Sequence, residues 1–418
     1  MDYNLIEYHS SIFDTKAGGT RMRAYRKVKT WLRHQKGLFA ILHPLHRAWR
    51  RGIMRFYQRT RGIDPMKVTF SSFMGESYSD NPRYISERLH ELCPEAKIVW
   101  LFRSERMNAV KVPDYVRKVA LLSRAGLREE ATARFWVDNF RRGESGYLND
   151  KKQFYINTWH GDRGFKKVGD DNEKLPFAMY RLEDRCAMMI AGSEFGRNTY
   201  RTAFHYKGEV RMDGCPRNDI LLRNDPKEAA AVRERLGVAP GVRLMLYAPT
   251  YRDNLEFKRQ DAVLDISATL DHLEEKTGES WLCLYRAHYK NSGLNVRQDR
   301  RVRDATAWEQ MSELLLVSDM LITDYSSCGG DFALLRRPLF LYQADAEEYL
   351  RDSRSFYFKM EDSPFLVAHN QQELNRLIDT TDAQRARENC EALDRFFGTT
   401  ETGHASEAVC RYIMDRMG

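Results

Sequence analysis

Side chains that can bind anions or move protons recur in one kind of place, directly after a short apolar run. His160 follows the run at residues 153–158, and His288 follows the run at residues 281–287. Histidine is suited to general-base work because its pKa lies near neutrality. Short apolar runs are typical of buried strands. We therefore predict that both histidines lie at strand ends, where His160 either acts as a base or has no catalytic role.

The turn at Ser326 and Ser327 is another such place. The apolar run at residues 320–323 ends at Asp324, two serines follow, and a helical pattern of apolar residues begins. A strand that turns through serines into a helix presents hydroxyl and backbone N–H groups at the positive end of that helix. We hypothesise that a phosphate or pyrophosphate binds there. The alternative is an ordinary strand–helix turn with a serine cap.

Basic side chains at other strand ends could add to this anion site. Arg286 and His288 point to the same side of their strand because side chains alternate along a strand. Two converging cations suit a diphosphate, and a solvated basic loop is the alternative. Arg252 follows the apolar run at residues 243–248 and could bind phosphate or pair with Asp253. Three further basic residues are candidates for contacts to a phosphate or to another substrate group: Lys166, Lys167 and Arg217.

The order of strands and helices predicts how these residues are positioned. Strands alternate with helices from residue 64, and the alternation restarts after a charged helix at residues 227–236. Repeated strand–helix units imply parallel sheets covered by helices on both faces. The pattern therefore predicts two doubly wound, Rossmann-like α/β domains, residues 64–225 and 226–418, which face a cleft. In such folds ligands bind beyond the carboxyl ends of the strands. Within the first domain the pattern predicts a helix over residues 128–140.

Composition narrows the class of protein. The chain has 418 residues, of which 42% are hydrophobic, enough for two core-sized domains. Its apolar runs are too short to span a membrane. The seven cysteines are scattered and form no C-x-x-C pair, which favours a reduced, cytoplasmic protein without structural zinc. There is no Walker A loop and no G-x-G-x-x-G after a strand, and we expect neither a metal nor another cofactor.

The segment at residues 1–63 differs in charge from the rest of the chain. Residues 20–63 hold 13 lysines and arginines and no acidic residue, whereas the net charge of the whole chain is +8. Pro44 is predicted to divide the segment into two helices. A helix lying on an anionic membrane surface fits residues 20–61. A helix packed on the first domain is the alternative, and nucleic acid is not expected because no binding motif supports it. Apolar residues fall on one stripe at three- and four-residue steps: Leu38, Leu42, Leu45, Trp49, Ile53 and Phe56.

Seven motifs in order resemble those of the CDP-glycerol glycerophosphotransferase family, the teichoic acid primases and polymerases of bacterial cell envelopes. Seven ordered motifs are far more specific than any one alone. The resemblance covers roughly residues 67–410. The motifs are SSFMGESYSDNPR (71–83), TWHGDRGFKKVG (158–169), GCPRND (214–219), APTYRD (248–253), RAHY (286–289), TDYSSCGGDFALL (323–335) and SFYF (355–358).

The resemblance implies a GT-B-like architecture with an acceptor-side N-terminal domain and a CDP-binding C-terminal domain. It also implies transfer of glycerol phosphate from CDP-glycerol, or ribitol phosphate from CDP-ribitol, to a lipid-linked or glycan acceptor in teichoic acid or capsule synthesis. CMP would be released. Members act as peripheral proteins at the cytoplasmic face of the membrane, which agrees with the basic N-terminal segment.

The resemblance also implies roles for individual residues. His160 matches a histidine expected to act as base on the acceptor hydroxyl, and His288 matches a second functional histidine, assigned to the donor diphosphate. Family members often read WHGTPLKK, whereas residues 162–165 here place DRGF between the glycine and the lysines. This longer, more polar loop leaves room for a different acceptor. The expected donor-binding residues are Arg252, Arg286, Asp324, Ser326 and Ser327.

Two other functions are compatible with the residues alone. One is a GT-B glycosyltransferase that uses a nucleotide sugar, which a panel of donors would separate from a CDP-polyol enzyme. The other is a non-catalytic basic protein that binds membranes or nucleic acid. Deletion of residues 20–61 would test the second, since a binding module would lose all ligand binding.

Overall fold

Two parallel sheets, one in each half of the chain, form the framework of the protein. The computed structural model describes residues 36–140, 148–149, 151–172, 185–250, 264–287, 299–352 and 355–417. The first sheet has the strand order β3-β2-β1-β4-β5-β6-β7. Strands β2 and β3 follow on one side of β1 and strands β4 to β7 on the other, so the strand order reverses between β1 and β4. Its strands are β1 (Asp64–Ser71), β2 (Lys97–Phe102), β3 (Arg117–Ala120), β4 (Ala133–Asp138), β5 (Phe154–Asn157), β6 (Met188–Ile190) and β7 (Glu209–Arg211).

The second sheet repeats this plan with the order β10-β9-β8-β11-β12-β13. Its reversal point lies between β8 and β11, and all of its strand pairs are parallel. Ligands of doubly wound folds bind in the crevice at such a reversal point. The strands are β8 (Arg243–Ala248), β9 (Trp281–Tyr285), β10 (Val302–Asp304), β11 (Met320–Thr323), β12 (Leu339–Tyr342) and β13 (Val367–Ala368).

Helices cover the sheets, and the last one returns to the first domain. There the helix Ala405–Met414 packs against the helix Asp80–Leu92, and its Val409, Cys410 and Ile413 join the core around β1 and β2. The domains are therefore tied together by the end of the chain. The helices are α1 (Lys36–Arg61), α2 (Asp80–Leu92), α3 (Arg124–Thr132), α4 (Glu194–Ala203), α5 (Asp219–Arg223), α6 (Pro226–Arg235), α7 (Ile266–Thr277), α8 (Met311–Val317), α9 (Cys328–Phe332), α10 (Ala346–Asp352), α11 (Gln371–Thr380), α12 (Ala383–Phe397) and α13 (Ala405–Met414).

The predicted helix over residues 128–140 is wrong in its second half. Helix α3 ends at Thr132, and β4 begins at the next residue without an intervening loop. Phe135, Trp136 and Val137 are fully buried in β4, which pairs with both β1 and β5. Aromatic and β-branched residues suit a pleated, buried surface. Burial in the middle of the sheet therefore outweighs the helical pattern, and Asn139 is placed at a strand end.

The predicted division at Pro44 is also wrong, because α1 continues through this residue. A proline inside a helix removes one hydrogen bond and favours a kink, but it does not have to end the helix. Met54 is fully buried against the first domain, with Ile53 and Tyr57 packed beside it. Within the part of the chain that the structure describes, no helix is both long and apolar enough to cross a membrane.

Candidate active site

His160 lies in the loop after β5, at the carboxyl edge of the first sheet. Its Nδ1 is 2.7 Å from the backbone oxygen of Asn139. A carbonyl oxygen only accepts, so Nδ1 carries the proton and the lone pair lies on Nε2. The ring is half-buried and stacks on Phe140, with centroids 5.5 Å apart. The neutral ring therefore has the tautomer that a base acting through Nε2 needs.

The backbone around His160 is under strain. Trp159 has φ of 50°, in the left-handed region that bulky residues avoid. Its N–H donates to Oδ1 of Asn157 at 2.8 Å, and its ring lies 4.3 Å from the ring of His160. Such outliers persist where the surrounding structure holds them, often at functional sites.

The His160 loop meets the Ser326 and Ser327 turn of the second domain. A Cβ placed on Gly161 would lie 3.6 Å from Oγ of Ser327, and one on Gly164 would lie 3.2 Å from its Cβ. A side chain at position 164 would therefore crowd Ser327, whereas one at position 161 would meet it at an ordinary contact distance. The structure thus brings together the predicted base and the predicted phosphate-binding turn, which are far apart in the sequence.

Asp324 braces the turn from inside the protein. Its buried carboxylate accepts hydrogen bonds from the backbone N–H of Thr250 at 2.8 Å and from Oγ1 of Thr250 at 2.5 Å. This contact crosses the reversal point between β8 and β11. Ser326 and Ser327 are half-exposed, and Oγ of Ser326 accepts from the N–H of Cys328 at 3.4 Å. The geometry therefore gives Asp324 a bracing contact, and binding of donor by these three residues stays a prediction.

Arg286 directly follows β9, the strand next to β8. Its backbone N–H donates to Tyr247 at 2.9 Å. Desolvation lowers the pKa of its guanidinium, and the negative charge of Asp80 offsets this only in part. Among the described residues, no carboxylate lies within ion-pair distance of it. A desolvated cation at a strand end is suited to an anionic ligand.

The other predicted site residues divide into two groups. Lys166 pairs with Phe356 in an antiparallel bridge, and the N–H of Lys167 donates to Ser355 at 2.9 Å, so the loop after His160 is attached to the second domain. Contacts of either lysine to phosphate stay predictions. Arg252 and His288 lie outside the described residues, and their assigned roles stay predictions as well.

Arg217 lies in a buried charged cluster that the sequence did not reveal. Its guanidinium contacts Asp331 at 3.0 Å and Asp80 at 3.2 Å. Burial lowers the pKa of Arg217, but the two carboxylates outweigh this effect and raise it well above its ordinary value. These contacts occupy Arg217 within the protein, and the structure gives no contact that supports its predicted role in phosphate binding.

The polar loop at residues 162–165 faces the interior. Asp162 is 2% exposed, Arg163 is 1% exposed and Phe165 is fully buried. Arg163 bridges Asp331 at 2.8 Å and Glu401 at 2.9 Å. The expectation that this loop meets a different acceptor is therefore not supported by its side chains, which contact buried carboxylates instead.

Glu401 gives this cluster a pH dependence. Burial, together with the nearby Asp162, outweighs Arg163 and raises the pKa of Glu401 from 4.5 to about 7. The contribution of Glu401 to stability is therefore complete at pH values below its ordinary pKa of 4.5, and it is lost as the pH rises through about 7. From pH about 5 to about 8, the free energy of unfolding should fall by about 3 kcal/mol more in the wild type than in Glu401→Gln. Denaturant titrations at several pH values measure this difference.

Glu129 supplies the control for this prediction. Its side chain is 2% exposed and that of Glu401 is 0% exposed, but Lys67 and Arg117 outweigh the desolvation of Glu129 and hold its pKa below the ordinary value. The difference between Glu129→Gln and the wild type should therefore stay constant over the same pH range. A constant difference for Glu401→Gln would contradict the prediction.

Among the described residues, no group of three His, Cys, Asp or Glu side chains is placed to hold a metal ion.

The family model for CDP-Glycerol:Poly(glycerophosphate) glycerophosphotransferase matches residues 53–415. The chain belongs to this family. The match agrees with the motifs at residues 71–83 through 355–358.

Individual members of the glycerophosphotransferase family are similar over most of the chain. The teichoic acid poly(glycerol phosphate) polymerase of Staphylococcus epidermidis is 28% identical over 407 residues, which cover 93% of this chain and 55% of that protein. The teichoic acid glycerol-phosphate transferase of Staphylococcus aureus is 27% identical, and the match covers 83% of this chain and 92% of that protein. The chain thus spans about half of the first relative and nearly all of the second.

A solved member of the glycerophosphotransferase family has the same fold. The wall teichoic acid polymerase TagF is 28% identical with a TM-score of 0.76, and the match covers 96% of this chain and 98% of that one. A TagF variant soaked with CDPG is similar as well, with a TM-score of 0.77. The likeness confirms the predicted GT-B-like architecture of two Rossmann-like domains.

Proposed function

We propose that the protein transfers glycerol phosphate, or a related polyol phosphate, from a CDP-polyol to a hydroxyl group of a teichoic-acid-type acceptor. The observation that carries the proposal is the contact between the His160 loop and the Ser327 turn across the cleft. This contact supports the proposal because His160, whose Nδ1 lies against the carbonyl oxygen of Asn139, belongs to the loop that meets the turn assigned to the donor by the family pattern. The soak of TagF with CDPG supports the choice of donor.

The reaction needs one proton acceptor and compensation of charge on the leaving group. The acceptor hydroxyl oxygen forms a bond to the β-phosphorus of the CDP-polyol, and His160 takes its proton at Nε2. The bond between that phosphorus and the bridging oxygen breaks, and CMP leaves with the electron pair. In this proposal Arg286 balances the charge that develops on CMP. Positioning and charge compensation are sufficient here, since no covalent enzyme intermediate is required.

A panel of donors tests this proposal. The purified chain is incubated with CDP-glycerol, CDP-ribitol, a UDP-sugar and a lipid-linked acceptor, and products are identified by mass spectrometry. We expect CMP release and addition of one or more polyol phosphates to the acceptor. Transfer from the UDP-sugar without turnover of either CDP-polyol would overturn the proposal.

We also propose that helix α1 attaches the enzyme to an anionic membrane surface, where a lipid-linked acceptor would be found. While one side of α1 packs on the first domain, Leu45, Trp49 and Phe56 are 60%, 55% and 60% exposed. Steps of four and seven residues put these three on one stripe. Exposed Arg55 and Arg59 lie on the same outer side of the helix. An apolar stripe beside cations fits the interface of an anionic lipid surface.

Changes on this outer face should weaken membrane binding without unfolding the protein. Trp49→Ser with Phe56→Ser removes apolar groups that would enter the interface, and we expect about tenfold weaker binding to vesicles containing phosphatidylglycerol. Co-sedimentation of the full chain measures binding, and thermal unfolding checks that the fold is kept.

Phe396→Ser with Leu222→Ser provides the matched control. Both residues are 37% exposed and lie away from α1 in the sequence. The control should bind vesicles like the wild type, and vesicles of phosphatidylcholine alone should bind the wild type weakly. Equal losses in the two double variants would contradict the proposed membrane contact.

A further inference from the structure

The His160 loop is held at both ends by one closed set of buried and part-buried contacts. We call this set the positioning ring, and it consists of Asp80, Asn139, Arg163, Arg217 and Asp331. It begins at His160, runs through both domains and returns to the same loop at Arg163, three residues further on. The proposed reaction gives none of its members a contact to the substrate.

The first part of the ring fixes the carbonyl group to which His160 donates. Asn139 is fully buried, and both ends of its side chain are occupied. Its Oδ1 accepts from the N–H of Phe73 at 2.8 Å, and its Nδ2 donates to Oδ2 of Asp80 at 2.9 Å. The Phe73 contact spans the reversal point between β1 and β4. Asn139 thereby holds its own backbone oxygen 2.7 Å from Nδ1 of His160.

The second part ties Asp80 to the helix that follows the serine turn. Oδ1 of Asp80 accepts from Arg217 at 3.2 Å. Arg217 also donates through Nε to Oδ2 of Asp331 at 3.1 Å. Asp331 lies in α9, which begins directly after Ser327. The same contacts therefore join the support of the base to the support of the donor turn.

The third part closes the ring. Arg163 donates to the other oxygen of Asp331 at 2.8 Å, and it follows His160 by three residues. Burial alone would raise the pKa of Asp331, but Arg217 and Arg163 outweigh it and hold the pKa below its ordinary value. The ring thus contains two guanidinium groups and two carboxylates, and Arg163 also pairs with Glu401 outside the ring. Removing one charged member takes away one of the two ion-pair partners of a neighbouring arginine.

The backbone of Asp80 is held in an unusual conformation. Its φ of 59° is in the left-handed region, which Asp and Asn tolerate better than other non-glycine residues. Its N–H also donates to Oε1 of Gln310 in the second domain, at 3.3 Å. A backbone held in this way keeps the carboxylate aimed at both Asn139 and Arg217.

We propose that the positioning ring sets the orientation of His160 relative to the Ser326 and Ser327 turn, with Asp80 as the positioning residue that joins its two halves. The inference deepens the proposed function and rests on it for its kinetic test. Asp80 acts through Asn139 and Arg217, so its loss should affect the chemical step more than the binding of the donor.

Asp80→Asn tests the proposal with the smallest change of shape. Asparagine tolerates the same backbone conformation, but it has one acceptor oxygen where the ring uses two. We expect kcat for CMP release from CDP-glycerol to fall at least about tenfold, with KM changed by less than about threefold. In spectra of protein labelled with ¹⁵N-histidine, His160 of the wild type should carry its proton on Nδ1, and Asp80→Asn should show a mixture of tautomers. His160→Gln assigns the signal.

Asp219→Asn is the matched control. Asp219 is buried and accepts hydrogen bonds from Ala405 and Ser406 at the start of α13, so it holds the same residue type in a structural role. It should lose stability but keep kcat and the His160 tautomer. Equal effects of Asp80→Asn and Asp219→Asn on both measurements would overturn the proposal.

Arg217→Lys provides a second variant and separates two roles for this residue. Lysine keeps the charge, but it lacks the planar fork that reaches Asp80 and Asp331 together. A positioning role predicts a fall in kcat at nearly constant KM, whereas contact with the donor phosphate predicts a higher KM and would count against the ring.

Failure of the proposed function can be told apart from failure of the positioning ring. If the wild type turns over no CDP-polyol, the proposed function is wrong, but the tautomer spectra of Asp80→Asn still decide whether the ring positions His160.

Discussion

Replacing His160 with glutamine should lower kcat for CMP release from CDP-glycerol by about 10³-fold, the usual range for loss of a general base. Glutamine can still donate a hydrogen bond to the carbonyl oxygen of Asn139, but it offers no basic nitrogen to the acceptor hydroxyl. Affinity for CDP-glycerol should stay within about threefold of the wild type, because the base is not needed to bind the donor. Single-turnover kinetics and calorimetric titration of CDP-glycerol measure the two quantities separately.

His205 is the matched control for this substitution. Its Nε2 lies 2.8 Å from Oδ2 of Asp170 in an exposed pair. His205→Gln should therefore keep kcat within about twofold of the wild type, as expected for a surface substitution away from the site. Normal CMP release by His160→Gln would remove His160 from the mechanism, whatever the control does.

The positions of the site residues along the chain could be inferred from the sequence because they depend on a local pattern. Short apolar runs locate strands, and in a parallel sheet the carboxyl ends of strands share one edge. This reasoning places His160, Arg286 and the Ser326 turn at strand ends, where the structure has them. Their approach across the cleft required the structure, because it depends on how two domains pack.

Asn139 was missed because the boundary between α3 and β4 carries no sequence signal. Thr132 ends the helix and Ala133 begins the strand, with neither glycine nor proline between them. A helix predicted over the whole of residues 128–140 hides the strand end that carries Asn139.

The buried partner of Arg163 could not be predicted either, because Asp331 lies 168 residues away along the chain. A polar loop next to a histidine is more often solvated than buried, and only the tertiary contact reverses this expectation.

Arg286 and His160 are expected to affect the stability of the chain without substrate in opposite directions. The contacts around His160 stabilise the folded chain whether or not substrate is bound. We expect Arg286 to cost stability in the absence of a ligand, because desolvation lowers its pKa and no described carboxylate lies within ion-pair distance of it. A binding site can exchange stability for affinity in this way. The two residues should therefore respond differently to substitution.

Replacing Arg286 with methionine should weaken binding of CDP-glycerol by about 50-fold, since a charge-assisted hydrogen bond contributes about 1.5–3 kcal/mol. The same variant should unfold at a higher temperature than the wild type, because methionine fills a similar volume without a desolvated charge. Arg243→Met is the control: Arg243 begins β8 at the opposite edge of the same sheet, where it pairs with Asp319 at 3.0 Å. It should lose stability and keep donor affinity. Titration calorimetry and thermal unfolding of both variants measure these effects, and a lower unfolding temperature with unchanged affinity for Arg286→Met would show that Arg286 supports the fold and does not bind the donor.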